Sequence, residues 1–300
     1  DTEKEVYYKM FDELTDAINT LTINRTQNLT ANADKVYSGN VEKWIKFANS
    51  LKLRMAMRIC YVDKGKSEIM VKEAIDTSNG KLGVMTENSD NAFMPATINP
   101  FYMVCYSYNG GETKISADLS SYMNGYQDPR REIYGVTSTF DESENITNGF
   151  HGLRVGNEYP IKTGQCYSNV KVEVSSPIMW MNAAEVMFLR AEAALRGWDT
   201  EKTPKAYYEA GIRLSFEQLG AKNVEDYLVS TNTPESYKDP LGTYSFSGTP
   251  STISVQWKDG NFEESLERII TQKWIANFPL GLEAWAEFRR TGYPKLMGIK

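Results

Sequence analysis

The 300-residue chain is poor in thiols and imidazoles, with three cysteines and one histidine. Cys60, Cys105 and Cys166 are odd in number and show no Cys-X-X-Cys spacing, so neither a disulfide framework nor a zinc site is indicated, and we expect three small buried apolar residues. His151 is the single imidazole available to a metal cluster or a catalytic triad. We therefore predict no catalytic metal, no histidine-centred site, no cofactor and a dispensable His151, and the sequence leaves open whether a calcium ion is bound.

The chain also lacks a net positive charge and long apolar runs. The formal net charge is −6 and the isoelectric point is about 5.2, so the chain lacks the positive field that supplies most nucleic-acid affinity. No apolar run approaches the roughly 20 residues that span a bilayer, and Asp1 opens no signal peptide. We expect no nucleic-acid partner, and we expect any membrane attachment to come from residues outside this chain.

Aromatic residues are what the chain has in excess, since 18 tyrosines, 12 phenylalanines and 6 tryptophans make up 12% of it. Tyrosine and tryptophan present a flat apolar face with a polar edge, which suits them to sugar rings and to interfaces. Most of them should still lie in the core, because aromatic residues are on average highly buried. The 41% of hydrophobic and 24% of charged residues are typical of a globular protein.

Apolar residues recur at every third or fourth position in several windows, which predicts helices. The first window shows the pattern in Val6, Met10, Leu14, Ile18 and Leu21. Asn40 can cap the second helix, and Gly197 can end a later one. The predicted helices lie near residues 6–22, 41–60, 67–77, 116–124, 182–196, 204–219, 263–277 and 282–290.

The predicted helices indicate a mostly α protein, organised as a single domain over residues 1–300. Helical hairpins at about 6–60 and 182–220 use alanine, glycine, tyrosine and tryptophan as tetratricopeptide hairpins do, although no regular repeat register joins them. A stretch rich in Asn, Gly, Tyr and Ser at about 82–175 predicts a loop-rich insert with short strands. C-terminal helices follow at about 263–290.

Six phrases along the chain carry a resemblance to a known family. They are WIKFANSLKLR at 44–54, GYQDPR at 125–130, AEVMFLRAEAA at 184–194, RIITQKWIA at 268–276, GLEAW at 281–285 and FRRTGYP at 288–294. In this order they resemble the SusD/RagB family, particularly its SusD-like branch.

The resemblance implies a fold in which tetratricopeptide-like helical hairpins support a loop-rich ligand-binding region. It implies a binding protein rather than an enzyme, lipid-anchored at the surface of a Bacteroidetes outer membrane. Such a protein would capture an oligosaccharide or polysaccharide and pass it to a SusC-like TonB-dependent transporter. Family members usually have a longer N-terminal portion with a signal peptide and an acylated cysteine, so we expect this chain to be a fragment that lacks it.

Aromatic residues concentrate at 99–111, where the sequence shows no helical periodicity. Tyrosine rings in a loop can stack on sugar rings, and asparagine amides can bind hydroxyl groups. The predicted ligand-binding residues are Asn99, Tyr102, Tyr106, Tyr108 and Asn109. Alternating aromatics also form half-buried strands, and no family motif transfers these positions residue by residue.

Other polar and aromatic residues have a structural interpretation that we favour. Trp180 and Trp198 flank a predicted helix and are expected to pack. Arg130, in the run Asp128-Pro129-Arg130-Arg131, could hold an anion, but internal pairing is the simpler expectation. The acidic residues that invite a glycoside hydrolase interpretation are Glu263, Glu264, Glu267, Glu283 and Glu287.

The spacing of these carboxylates is that of glutamates near a helix N-terminus, where the helix dipole already favours them. A glycoside hydrolase therefore ranks as the alternative to a binding protein, together with a peptide-binding protein or a protein scaffold of the same fold. The ligand itself stays open among starch, host glycans, other polysaccharides and peptides.

Overall fold

The computed structural model describes residues 1–27, 30–108, 113–138, 149–156 and 166–298. These residues form a mostly helical protein with little strand, which confirms the predicted fold class. The helices are α1 (Glu3–Ile23), α2 (Val41–Arg58), α3 (Lys64–Ile75), α4 (Pro100–Tyr102), α5 (Ala117–Gly125), α6 (Arg131–Tyr134), α7 (Ala183–Leu195), α8 (Pro204–Leu219), α9 (Val224–Leu228), α10 (Phe262–Ala276) and α11 (Gly281–Thr291). The strands β1 (Ala92–Met94) and β2 (Ile178–Met181) pair antiparallel.

The long helices begin where side chains satisfy the backbone amides of their first turn. Thr2 and Glu5 form a reciprocal capping box at α1. The predicted cap Asn40 accepts a hydrogen bond of 3.0 Å from the amide of Lys43 at α2. Asn182 caps α7 in the same way. The helices predicted from periodicity therefore agree with the structure to within a few residues.

The structure divides into two compact units, and the expected single domain stays a prediction. The first unit comprises residues 1–95, 178–215 and 272–292. In it α2 packs against α1, α3 and α7. A Cβ atom at Gly211 of α8 would come within 2.8 Å of the Phe188 ring, so a glycine lets α8 approach α7 closely.

A buried charge network joins α2, α7, α10 and α11 within the first unit. Glu287 receives hydrogen bonds from Arg290, one of them at 2.6 Å, and lies 3.3 Å from the Nζ atom of Lys273. Arg290 also forms a bidentate pair with Glu192 at 2.6 and 2.7 Å. Arg54 donates to both carboxylate oxygens of Glu185. We name these residues the buried charge network.

Acid should weaken the first unit through this network. Burial by itself raises the pKa of Glu287, but the charges of Lys273 and Arg290 outweigh it and hold the pKa well below the usual range. Such a carboxyl stabilises the fold above its unfolded pKa of about 4.3, and this stability is lost as pH falls toward the folded value. We expect the urea midpoint, followed by circular dichroism, to fall between about pH 5 and pH 3. The urea midpoint of a Glu287→Gln variant should fall less over the same pH range. An equal fall in the variant and the wild type would contradict the assignment of this pH dependence to Glu287.

The second unit comprises residues 96–177, 216–271 and 293–300. Its described part contains a buried ion pair in which Arg130 donates to both carboxylate oxygens of Asp128, at 2.9 and 2.6 Å. The hydroxyl of Tyr227 donates to the same carboxylate at 2.7 Å, and the guanidinium lies over the Phe216 ring. Arg130 is therefore paired internally, as expected.

The predicted loop-rich insert contains more helix than the sequence indicated. The predicted helix at 116–124 is present as α5, but α4 and α6 were not expected. Each is four residues or shorter, so neither completes the two turns that reveal a 3.6-residue period. Among the described helices, none combines the length and the apolar character that a membrane crossing requires.

Candidate functional site

Asn99 anchors the predicted aromatic segment. Its Oδ1 atom accepts hydrogen bonds from the backbone amides of Phe101 and Tyr102, and its Nδ2 atom donates to the carbonyl of Ser176 at 2.8 Å. The backbone amide of Asn99 donates to the carbonyl of Val174 at 2.7 Å. Asn99 is only 5% exposed. Its amide therefore holds the segment in place, and its role as a ligand contact stays a prediction.

This anchor explains why the segment is helical. Asn99 is the N-cap of α4 and Pro100 occupies the first helical position, a combination that starts helices efficiently. The chain then continues as a π-helical turn over Met103–Ser107. Single π turns are rare and occur frequently at functional sites. The structure thus differs from both the loop and the half-buried strand that the sequence allowed.

Tyr102 and Tyr106 are brought together by this helical geometry. Their rings stack at a centroid distance of 5.0 Å and an interplanar angle of 27°. Both are half-buried. The hydroxyl of Tyr106 donates to the carbonyl of Val170, and burial raises the pKa of that hydroxyl. The pair is therefore held rigidly, with part of each ring still open to solvent.

Tyr108 is the most exposed of the predicted aromatic residues, at 67%. It follows the π turn in extended backbone. Met103 and Val104 of the same turn are also exposed, whereas Cys105 points inward and is fully buried. The turn thus presents an apolar surface to solvent. The predicted residue Asn109 lies outside the described residues.

Trp180 is an aromatic residue whose exposure the sequence analysis missed. It is 40% exposed, whereas Trp198 is buried as expected. Trp180 lies in β2 between Met179 and Met181, which are both buried. Side chains alternate between the faces of a strand, so this three-residue pattern was a signal that Trp180 points to the opposite, open face. The strand was too short to be recognised from periodicity.

The acidic residues of the glycosidase interpretation have different surroundings. Glu263 and Glu264 are exposed in the first turn of α10, where a helix dipole favours them. Glu267 is buried and forms an ion pair of 2.8 Å with Lys295, and Glu287 belongs to the buried charge network. Paired carboxylates of this kind fit a structural role. In the described part of the chain, no group of three or more His, Cys, Asp or Glu side chains is placed to hold a metal ion.

The fold and the site together define a class of protein: a mostly helical one in which a short, irregular helical segment carries two half-buried, stacked tyrosines and ends at the exposed Tyr108. A family model described as SusD-like, Susd and RagB outer membrane lipoprotein, matches residues 1–300. The chain therefore belongs to the SusD-like family, which confirms the resemblance of the sequence motifs.

Solved structures of similar proteins support this assignment. A SusD homologue from Bacteroides uniformis is 46% identical with a TM-score of 0.92. A SusD homologue from Bacteroides thetaiotaomicron is 41% identical with a TM-score of 0.92. A chitin-binding SusD homologue from Flavobacterium johnsoniae is 38% identical with a TM-score of 0.91. Each match covers 100% of this chain but 62% of the other chain. A comparison with curated proteins found no match.

Proposed function

We propose that this chain is part of a cell-surface glycan-binding protein, which captures an oligosaccharide or polysaccharide and passes it to a SusC-like TonB-dependent transporter. In this proposal a lipid anchor holds the protein to the outer membrane, in keeping with the description of its family as outer membrane lipoproteins. The observation that carries the proposal is the exposed aromatic surface on the helical segment at 99–108. The chitin-binding relative supports a saccharide as the ligand.

The chemistry of this surface suits a sugar. A pyranose ring has apolar faces of C–H groups, which stack on aromatic faces, while its hydroxyl groups bind amides and water. The ring of Tyr108 is open to solvent. The stacked side chains of Tyr102 and Tyr106 are already ordered, so they lose little conformational entropy on binding. We assign Asn109 as a hydrogen-bonding contact and Asn99 as the residue that positions the rings.

Replacing one stacking ring should measurably weaken binding. We expect Tyr108→Ala to lose on the order of 1 to 3 kcal/mol, by analogy with base stacking on aromatic side chains, which is roughly a tenfold to hundredfold rise in Kd. Isothermal titration calorimetry of the full-length protein with chitin oligosaccharides measures this change, with Tyr102→Ala and Tyr106→Ala in parallel. Tyr61→Ala is the matched control, because Tyr61 is 53% exposed in the other unit. Unchanged affinity in all three variants would place the ligand elsewhere.

The same titrations separate the alternative functions. A glycoside hydrolase would shorten the oligosaccharides during incubation, which product analysis by mass spectrometry detects. A peptide-binding protein or a scaffold would bind none of a panel of chitin, starch and host-derived oligosaccharides. Binding without turnover is the result that we expect.

A further inference from the structure

A second aromatic surface lies within the first unit, on residues that the proposed site does not use. An open pocket of about 530 Å³ is formed by the loop before α2, the start of α2 and the two short strands. Trp44 and Trp180 both line it, together with Met94, Val36 and the exposed Lys35. Its size falls within the range typical of small-ligand sites, about 300 to 1,000 Å³.

The tryptophan rings of this pocket are held by a row of aromatic side chains. Trp44 packs edge-on against Tyr37, with ring centroids 5.1 Å apart, and against Phe47 at 5.7 Å. Phe47 in turn lies 6.4 Å from the ring of Trp180. Tyr37, the last ring of the row, is buried in the core, and its hydroxyl donates to the carbonyl of Asp90. The two rings of the pocket therefore occupy fixed positions before any ligand arrives.

The polar edge of Trp44 is fixed as well. Its Nε1 atom donates to Oδ2 of Asp34 at 2.8 Å. The same carboxylate accepts the backbone amides of Val36, Tyr37 and Gly39 at 2.8 to 3.1 Å, so it shapes the loop that forms one wall of the pocket. Burial alone raises the pKa of Asp34, but these hydrogen bonds outweigh that effect and lower it. The carboxylate thus stays ionised and keeps the loop in place.

Trp180 differs from Trp198 in how much of its surface is open to solvent. A tryptophan contributes most to stability when its large apolar face is removed from water, as it is in Trp198, which is 4% exposed. Trp180 keeps 40% of its surface in solvent on the wall of a pocket that Trp44 and Lys35 also line. Flat apolar rings next to a hydrogen-bond donor match the C–H faces and hydroxyl groups of a pyranose.

We propose that Trp44 and Trp180 form a second saccharide-binding subsite, which contacts a sugar ring of the glycan through the exposed face of Trp180. The proposal rests on the proposed glycan-binding function, but it uses none of the tyrosines at 102–108. Trp180 stacks on the ring, Lys35 donates hydrogen bonds to its substituents, and Trp44 with Asp34 maintains the shape of the pocket. The openness of the surface allows a polymer to pass over it.

The test is titration of full-length Trp180→Ala with a panel of chitin, starch and host-derived oligosaccharides, by calorimetry and by tryptophan fluorescence. We expect affinity for the oligosaccharide that the wild type binds to fall by roughly tenfold to hundredfold, as for loss of a stacking ring. Trp180→Phe, which retains an aromatic face, should recover most of the loss. Trp285→Ala is the matched control, because Trp285 is 57% exposed in the same unit, and near-UV circular dichroism checks folding.

Three results would overturn the subsite, and they differ in what they say about the proposed function. If Trp180→Ala binds as the wild type does while Tyr108→Ala loses affinity, the subsite is refuted and glycan binding stands. If the wild type binds no saccharide of the panel, both proposals fail. If the wild type forms a dimer in analytical ultracentrifugation and Trp180→Ala does not, the surface is an interface between two copies. Substitution of Trp44 is a poorer test, because Trp44 also packs against Tyr37 and Phe47.

Discussion

The Glu287→Gln variant is expected to unfold with a free energy about 3 to 5 kcal/mol lower than that of the wild type. Glu287 is 4% exposed and lies among three cations, with Arg290 and Lys273 closest and the Nε atom of Arg58 at 3.5 Å. Glutamine preserves the shape of the side chain but removes its negative charge. The positive charges of the buried cations are then no longer balanced. Losing one partner of a buried pair is costly, because the desolvation of the remaining charges is no longer offset.

Urea titration followed by circular dichroism measures this loss. Glu13→Gln is the matched control, since it makes the same chemical change in α1, where Glu13 is exposed and its ion pair with Lys9 is 4.0 Å long. Exposed pairs of this kind contribute about 0 to 1 kcal/mol. If both variants lose the same small amount, the buried charge network does not stabilise the first unit as its geometry indicates.

The second large effect is expected in the other unit, at Arg130. The Arg130→Met variant should lose about 3 to 5 kcal/mol of unfolding free energy, because it leaves the carboxylate of Asp128 buried at 1% exposure with only the hydroxyl of Tyr227 and the backbone as partners. It also removes the cation–π contact with the Phe216 ring. Methionine fills a similar volume, so the loss reports on charge rather than on a cavity.

A double-mutant cycle identifies the cause. In Asp128→Asn/Arg130→Met both charges are gone, and asparagine can still accept the hydrogen bond from Tyr227, so the double variant should be clearly more stable than the sum of the single losses predicts. Lys171→Met serves as the exposed control in the same unit. Additive losses would show that the two side chains stabilise the unit independently, contrary to the bidentate geometry.

Part of this protein followed from the sequence by itself. The positions of α1, α2, α7 and α8 depend on local periodicity and on caps such as Asn40, which act between neighbours in the chain. The family was predicted from six short sequence motifs and their order along the chain, and the family model confirms it. The internal pairing of Arg130 was also predictable, because its partner is two residues away.

Only the tertiary structure decided which polar and aromatic residues face solvent. Asparagine is a residue type that often binds ligands. Asn99, however, is buried, and it is held by hydrogen bonds to the carbonyl groups of Val174 and Ser176, which are distant in the sequence. Trp180 looked like a packing residue, but the pairing of β2 with β1 leaves its ring on the open face. The buried charge network joins residues more than 100 positions apart, such as Arg54 and Glu185. Exposure and long-range pairing depend on how distant segments pack, and no local pattern in a single sequence encodes that.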